Sequence, residues 1–358
     1  MIRKLKNEVT FFYSTIDEKQ IFEYLALELN KRRFKCVFTK NLKKKAEIGF
    51  YCQNNSNPNN SQISIILLGG LDQGRMIWPN IWKEQPWNKF DLGFLPGKNW
   101  VKRWKKSSHD FRSRTKFGVY NVGWPKADFL FDKKVNSLEN IKIQKKYNLN
   151  RKKTYILYAP SFECFERQLD VTNAVKKNGH YLLIKHWLTK KEIVYQDLWD
   201  NIVQSNRKTK KIYGKKAVII EPKENFLTLL NFCDLVITDE SSVAYEALLR
   251  NIPTLSVKDW KIQRHKKAVT RLVKPAKITF KTTKGKLDKS IKKILNTNTE
   301  KKLKTLLDKE ISYLGDSSKI IAELLERFIE NRKSIYNSKY LLKPDSKNFL
   351  DHVRKFLR

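Results

Sequence analysis

The feature that most constrains the fold is a strand–helix–strand pattern in residues 231–257. An apolar, β-rich run at 235–238 is followed by a polar turn, after which apolar residues recur at helical spacing. Pro253 ends that helix because proline disfavours helix at the residue before it, and 254–257 resumes a strand. The pattern is a βαβ unit, which predicts an α/β fold with a parallel sheet covered by helices.

The polar turn of this unit predicts a phosphate-binding site. Ser241 and Ser242 stand at a helix start, where unpaired N–H groups and hydroxyl donors together suit a pyrophosphate. Thr238 and Asp239 end the strand and belong to the same candidate site. Glu246 lies one helical turn later, where a carboxylate can accept hydrogen bonds from ribose hydroxyls. The alternative is that Asp239 and the two serines only cap the helix.

The same alternation of strands and helices runs along most of the chain. Strands are predicted at 9–13, 36–39, 48–51, 63–68 and 117–122, and again at 155–158, 181–184 and 217–220. Two such runs predict two doubly wound domains facing a cleft. We place the domains at 1–140 and 141–315, with C-terminal helices at 316–358 that pack back across them. An apolar stripe supports the first of these helices: Ile320, Ile321, Leu324, Leu325 and Phe328, with a shorter one at 349–357.

Polar residues also follow other predicted strands. In open α/β sheets, ligands bind at the carboxyl ends of the strands. The strand at 63–68 ends in a glycine-rich turn, which makes Gly70, Asp72 and Arg75 candidate site residues. The alternative is a tight turn that needs glycine for backbone reasons.

Two strand ends in the second half of the chain have the same character. Ser161 follows the strand at 155–158, and Lys185 and His186 follow the strand at 181–184. With the turn after 235–238, these form three polar strand ends that can face one crevice. A histidine beside a lysine there can hold phosphate or donate a proton to a leaving group.

The net charge of +38, from 74 Lys and Arg against 36 Asp and Glu, predicts a polyanionic partner. Nucleic acid, phosphate-bearing polymers and an anionic membrane surface all fit the charge; we expect the polymer and the membrane surface as partners, and not nucleic acid. A tryptophan-rich segment at 78–106 carries many lysines, a mixture that suits a membrane interface or stacking on single-stranded nucleic acid. We expect Trp78 and Trp82 to lie in the core, and Lys98 to Lys106 to form a cationic surface.

The four cysteines have no paired spacing, which predicts reduced thiols and a cytoplasmic protein. No apolar run of membrane-spanning length is present, so neither secretion nor a membrane span is predicted. No His, Asp or Cys cluster has metal-ligand spacing, so no metal or other cofactor is expected. The Gly-x-Gly-x-x-Gly and Walker fingerprints of common nucleotide sites are absent.

Four segments, in order, resemble the motifs of one family. Residues 155–161 are similar to its ILYAPT motif, 183–186 to K-x-H-P, and 234–243 to D-L-[IV]-T-D-Y-S-S-V. Residues 122–128 resemble G-Y-P-[RK]-x-D, which makes Lys126 and Asp128 acceptor-side candidates. The family is the CDP-glycerol glycerophosphotransferases of teichoic acid synthesis, whose GT-B fold has two Rossmann-like halves.

The resemblance implies metal-independent transfer from a CDP-linked donor that binds to the C-terminal half. On the matching positions, Ser241 and Ser242 would hold the donor phosphates and His186 would contact the pyrophosphate. The family carries a His-Gly after the strand that corresponds to 63–68, and its histidine is thought to act as the base. This chain has Gly69-Gly70 there, so Asp72 becomes the candidate base.

The sequence thus predicts a GT-B transferase that moves glycerol phosphate, or a related polyol phosphate, to a surface polymer or its lipid-linked precursor. It is expected to be peripheral on the inner face of the cell membrane. One alternative is a GT-B glycosyltransferase with a nucleotide-sugar donor, since Glu246 after the serines also fits a sugar-nucleotide site. A different alternative is a non-catalytic polyanion-binding protein, RNA-binding included, which the net charge alone would allow.

Overall fold

A computed structural model describes residues 7–52, 56–71, 81–187, 190, 196–263 and 265–345. The chain divides into two compact units. Among the described residues, the N-terminal unit contains 7–52, 56–71, 81–132 and 308–345, and the C-terminal unit contains 133–187, 190, 196–263 and 265–307. The predicted functional division at 140/141 and 315/316 stays a prediction.

The strands and helices, numbered in chain order, have the following bounds. The strands are β1 (Glu8–Phe12), β2 (Lys35–Thr39), β3 (Ala46–Cys52), β4 (Ser61–Leu67), β5 (Leu92–Leu95), β6 (Val119–Asn121), β7 (Tyr155–Tyr158), β8 (Tyr181–Lys185), β9 (Ala217–Ile220), β10 (Leu235–Thr238), β11 (Thr254–Val257), β12 (Lys261–Ile262), β13 (Arg271–Leu272) and β14 (Phe280–Thr282). The helices are α1 (Ile16–Lys31), α2 (Ile81–Glu84), α3 (Lys98–Ser107), α4 (Pro125–Asp128), α5 (Lys133–Tyr147), α6 (Arg167–Lys177), α7 (Gln196–Tyr213), α8 (Phe226–Leu229), α9 (Val243–Leu249), α10 (Leu287–Leu295), α11 (Glu300–Glu310) and α12 (Ser317–Glu330).

The N-terminal unit is built on a six-stranded sheet of order β2-β1-β3-β4-β5-β6. All of its strand pairs are parallel. Aromatic rings fill the space beside it: the Phe12 and Tyr51 rings stack with centroids 4.6 Å apart, and Phe11 contacts Phe22 of α1 at 4.9 Å. The predicted apolar stripe of α12 is confirmed, because all of its members are buried.

The C-terminal unit has a second six-stranded parallel sheet, of order β14-β11-β10-β7-β8-β9. Read from β9, the order is the one found in dinucleotide-binding doubly wound folds. The direction in which successive strands are added to the sheet reverses between β7 and β10. Its core is aliphatic, with Ile156, Leu182, Ile184 and Ile237 buried. Continuous apolar strands of this kind are typical of parallel sheets that helices cover on both faces.

The tryptophan-rich segment differs from its predicted membrane-interface arrangement. Trp82 is buried as expected, but Trp100 and Trp104 are also only 1% exposed. Their indole N–H groups donate to protein oxygens, Trp100 to the Leu71 carbonyl at 3.1 Å and Trp104 to the Ser113 carbonyl at 2.8 Å. These indoles lie on the buried face of α3, so its exposed lysines, and not the indoles, can meet a partner. Trp78 lies outside the described residues.

Candidate functional site

The topology of the C-terminal sheet brings two predicted strand ends together. β7 and β10 are neighbours in the sheet. Ala159 donates its N–H to the Ile237 carbonyl at 3.0 Å, at the point where the two strands end. This is the switch point of the sheet, where adjacent connections diverge to opposite faces and open a crevice. The residues after β7 and β10 therefore stand where an α/β sheet binds its ligand.

Asp239 joins these strand ends through its carboxylate, which is completely buried. The carboxylate accepts hydrogen bonds from the Ser161 N–H at 2.9 Å and from the Ser161 hydroxyl at 2.7 Å. It also accepts from the Glu240 N–H at 2.7 Å and forms an ion pair with Arg167 at 3.0 Å. A buried charge must be compensated in this way, and the result fixes both strand ends in one geometry. Asp239 is thus an organising residue rather than a helix cap.

Arg167, the first residue of α6, is a member of the site that the sequence reasoning missed. Its side chain is 1% exposed and lies over the Trp260 ring at 5.6 Å. Only Nη1 reaches Asp239; Nε and Nη2 have no hydrogen-bond partner within the described part of the chain. Its guanidinium therefore keeps unused donors and positive potential beside the strand ends. In the sequence it is one basic residue among 74, and only the fold pairs it with Asp239.

The hydroxyl groups of Ser161 and Thr238 both donate hydrogen bonds to acceptors within the protein. Ser161 donates to Asp239, and Thr238 donates to the Ala159 carbonyl at 2.5 Å. A hydroxyl has one proton to donate, so neither can donate to a phosphate without breaking its present bond. In this arrangement both residues hold the strand ends together.

Ser241 and Ser242 stand half-buried before α9. The Ser242 side chain makes no capping hydrogen bond, and the Ser241 hydroxyl accepts from the Val243 N–H only at 3.4 Å. The capping alternative therefore does not describe Ser242. Because α9 has only seven residues, its dipole contributes little, and the hydroxyls are the more substantial donors. Glu246 is buried within α9 at 6% exposure.

Lys185 ends β8 and is 3% exposed. Its ammonium group donates to the Pro222 carbonyl at 2.9 Å and lies 6.0 Å from the centre of the Phe226 ring. Lys185 therefore brings a second buried positive charge to the carboxyl edge of this sheet.

His186 is buried and its Nε2 lies 3.1 Å from the Gln168 amide oxygen. Burial lowers the pKa of His186 to about 3, with Lys185 and Arg167 adding to the effect. The ring is therefore neutral near pH 7, so it can donate one hydrogen bond but supplies no positive charge. Gln168, which the sequence reasoning missed, is held by Asn206 and Thr209, each at 3.0 Å.

A second buried acid, Glu163, lies beneath the strand end. It accepts from the Tyr158 hydroxyl at 2.7 Å, the Gln168 N–H at 3.2 Å and the Ser205 hydroxyl at 3.3 Å. Burial raises the pKa of Glu163 to about 7, against the opposing effect of Arg167 and of these hydrogen bonds. Glu163 is therefore a titratable group that holds the first turn of α6, the helix that begins with Arg167.

The acceptor-side candidates belong to the N-terminal unit. Gly70 follows β4 and is half-buried. Lys126 is 3% exposed and its ammonium lies 5.7 Å from the Trp124 ring centre. Asp128 accepts from the Ser317 and Ser318 N–H groups at 3.2 and 2.6 Å, which holds the start of α12. Its acceptor role stays a prediction, and Asp72 and Arg75 lie outside the described residues.

Two further findings concern what the site and chain contain. Within the described ranges, no group of three or more His, Cys, Asp or Glu side chains is arranged to hold a metal ion. In that same part of the chain, no helix is both long enough and apolar enough to cross a membrane.

Solved structures with a similar fold define the class of this protein. The wall teichoic acid polymerase TagF matches with a TM-score of 0.62 at 16% identity, over 91% of this chain and 90% of that one. The MnaA–UDP structure from S. aureus gives a TM-score of 0.58 at 13% identity, over 90% and 97% of the two chains. The UDP-GlcNAc 2-epimerase of Methanocaldococcus jannaschii gives 0.55 at 13% identity, over 89% and 99%. With its two six-stranded parallel sheets, the chain has the GT-B type of fold.

The family follows from the sequence match. The model of the CDP-Glycerol:Poly(glycerophosphate) glycerophosphotransferase family matches residues 106–325, which is more than half of the chain. The protein belongs to this family and is a transferase. No individually curated protein matches it.

Proposed function

We propose that this protein transfers glycerol phosphate, or a related polyol phosphate, from a CDP-linked donor to a surface polymer or its lipid-linked precursor. The observation that carries the proposal is the family match over 106–325, which contains every donor-side residue predicted from the sequence. The geometry of the C-terminal unit supports it, because the segments 155–161 and 234–243 meet at the switch point of the sheet.

The reaction is a phosphoryl-group substitution. An acceptor hydroxyl attacks the phosphorus that bears the glycerol, the bond from that phosphorus to the bridging oxygen breaks, and CMP leaves. The product is a new phosphodiester, and the hydroxyl proton passes to a base. We assign that base to Asp72, because the glycine pair at 69–70 provides no histidine.

The C-terminal unit would stabilise the negative charge that develops on CMP. Lys185 would provide positive potential in a buried setting, where it acts more strongly than in water, and Arg167, whose charge Asp239 compensates, would offer its unused N–H donors. Ser241 and Ser242 would donate to the donor phosphates, and Glu246 is assigned to the ribose. A neutral His186 donates its one N–H to the Gln168 amide oxygen, so it would contact the pyrophosphate only if that hydrogen bond were exchanged.

We further propose that the enzyme works as a peripheral protein at the inner face of the cell membrane. A lipid-linked or polymeric acceptor would be found there. With 74 basic and 36 acidic residues, the protein would be attracted to an anionic surface. No metal is assigned to the reaction, since Lys185 and the serine hydroxyls are assigned to the donor phosphates.

A nucleotide-sugar donor is the second candidate. Two of the solved structures of similar fold contain UDP by their descriptions, and Glu246 lies on a helix that follows the serine pair. Both donors share a nucleoside diphosphate, so the base and the transferred group have to be distinguished by experiment.

The experiment is thermal stabilisation of the purified protein by CDP, UDP, GDP, CMP and CDP-glycerol. A ligand at a hundred times its dissociation constant adds about 2.7 kcal/mol to the free energy of unfolding. We expect a selective shift with CDP and CDP-glycerol, and formation of CMP when a glycerol-phosphate acceptor is added. A preference for UDP or GDP would indicate a donor with that nucleotide in place of CDP. A folded protein that no nucleotide stabilises would refute the proposal.

A further inference from the structure

The N-terminal unit carries a lysine groove that the donor chemistry does not use. It is a surface cavity of about 420 Å³ lined by Lys98, Val101, Lys102, Lys105, Lys106, Asn121 and Asp345. The four lysines lie along α3 and are exposed. Almost all of α3 precedes the residues that match the family.

The charges of α3 do not serve the stability of the helix. Lys98 is its first residue, where the helix dipole disfavours a cation. Lys102 is four residues from Lys98 and from Lys106, and like charges at this spacing repel each other. None of the four lysines has an ion pair within the described part of the chain; Lys98 donates to the Asp308 carbonyl at 2.9 Å.

Some lysines on other helices do have an acidic partner. In α1, Lys19 pairs with Glu23 at 3.1 Å, and in α12, Lys319 pairs with Asp316 at 3.4 Å. The ten residues of α3, in contrast, include no acidic residue. The described lining of the groove, with four lysines and the carboxylate of Asp345, therefore carries a net positive charge.

A polar group inside the groove indicates the second chemical component of its partner. Asn121 ends β6, and its amide nitrogen donates to the Ser312 hydroxyl at 3.1 Å. Its amide oxygen is buried, and among the described residues no donor reaches it. That oxygen can only accept a hydrogen bond, and a hydroxyl of a bound molecule would supply one.

We propose that the lysine groove binds the acceptor as a polymer of phosphodiesters and hydroxyl-bearing units, with its phosphates on the lysines. This inference rests on the proposed function, whose acceptor it locates. Along α3, lysines at four-residue spacing are about 6 Å apart in rise, so successive phosphates of one chain can each meet a cation. The hydroxyl of a neighbouring unit then donates to Asn121.

A membrane surface explains the groove less well than a polymer does. Helices that bind a bilayer interface present apolar and aromatic side chains to the lipid beside their cations. The indoles of α3 are buried in the unit, and among the described residues of the lining Val101 is the only aliphatic side chain. The surface is also concave, which suits an extended chain.

The test is equilibrium binding of a fluorescein-labelled glycerol-phosphate oligomer, followed by anisotropy at several salt concentrations. The groove variant replaces Lys98, Lys102, Lys105 and Lys106 with Gln. The matched control replaces four exposed lysines of α10 and α11 with Gln: Lys289, Lys293, Lys301 and Lys304. Both variants lose the same charge, and circular dichroism confirms that each is folded.

We expect the groove variant to bind the oligomer at least about tenfold more weakly, with a shallower salt dependence. The control should change by less than about threefold, because it leaves the local field of the groove intact. Equal losses in both variants would overturn the proposal, since general charge would then explain binding. So would a groove variant that binds the oligomer normally but loses binding to phosphatidylglycerol vesicles, which would assign the groove to the membrane.

Asn121 provides a more specific variant. Asn121→Asp keeps an acceptor but adds a negative charge beside the phosphates, and we expect it to weaken oligomer binding more than Asn121→Ser does. Nucleotide stabilisation is measured on every variant. A wild-type protein that no nucleotide stabilises refutes the donor assignment, while loss of oligomer binding with normal nucleotide stabilisation supports the groove independently.

Discussion

At the scale of single residues, Asp239 decides the geometry of the candidate site. Its carboxylate holds both strand ends and balances Arg167, and neither charged group is accessible to water. Such a pair is not a large net source of stability, because both charges lose their hydration. Removing one partner is nevertheless costly, because the other charge then remains buried alone.

We therefore expect Asp239→Ala to lower the free energy of unfolding by about 3–5 kcal/mol. Glu23→Ala, which removes the exposed partner of Lys19, should cost less than about 1 kcal/mol. Urea denaturation followed by circular dichroism measures both. Similar losses from the two variants would show that Asp239 does not compensate a buried charge.

Ser242 offers the complementary case of a side chain that the fold does not use. Since its hydroxyl does not cap α9, Ser242→Ala should leave the melting temperature nearly unchanged. Donor affinity should fall by about tenfold, the value of a hydrogen bond to a charged group. Calorimetric titration with CDP-glycerol measures the affinity. If this variant bound CDP-glycerol with wild-type affinity, Ser242 would not be part of the donor site.

Glu163 predicts a pH dependence of stability. Its pKa is raised by burial to about 7, above the ordinary value of 4.5, so folding favours the protonated form. The stabilisation is complete below pH 4.5 and is lost as the pH rises through about 7. The difference in unfolding free energy between wild type and Glu163→Gln should therefore shift in favour of the variant as the pH rises from 4.5 to about 7. A difference that is constant from pH 5 to pH 8 would contradict this assignment.

At the scale of elements, α3 shows how one helix divides its residues between two tasks. Trp100 and Trp104 anchor it in the N-terminal unit, and its lysines face solvent. The interleaving of the two residue types in the sequence follows from helical periodicity rather than from a shared surface.

This division is testable by paired substitutions in α3. Trp104→Ala should lower the free energy of unfolding by about 3–5 kcal/mol, because it leaves a large cavity and an unpaired Ser113 carbonyl. Lys105→Ala should change it by less than about 0.5 kcal/mol. Guanidinium denaturation measures both. If Trp104→Ala lowered the free energy of unfolding only slightly, the indole would not be a core residue.

At the scale of the whole molecule, the two compact units have different predicted partners, and hydrogen exchange can separate them. CDP-glycerol should protect amides after β7, β8 and β10, in the C-terminal unit. A glycerol-phosphate oligomer should instead protect α3, in the N-terminal unit. Mass spectrometry of peptic fragments reports both. Protection of α3 by CDP-glycerol alone would contradict the assignment of the two ligands.

The sequence determined the class of the fold and most of the elements of both sheets. Apolar runs of strand length, alternating with helical periodicity, predicted the strands from β1 to β4 and β6 to β11, and four ordered motifs indicated the family. These features are local, so they can be read along the chain. β5 escaped prediction because Leu92–Leu95 is short and lies between tryptophan-rich stretches.

Only the tertiary structure decided which residues meet. The buried pair of Arg167 and Asp239, the neutral state of His186 and the orientation of the α3 indoles all depend on neighbours that are distant in sequence. Periodicity identifies a face of a helix or strand, but burial and charge compensation are properties of the assembled unit. For that reason the sequence pointed to the strand ends, while Arg167, Gln168 and the distinction between residues that hold the strand ends together and residues that remain candidates for donor binding came from the fold.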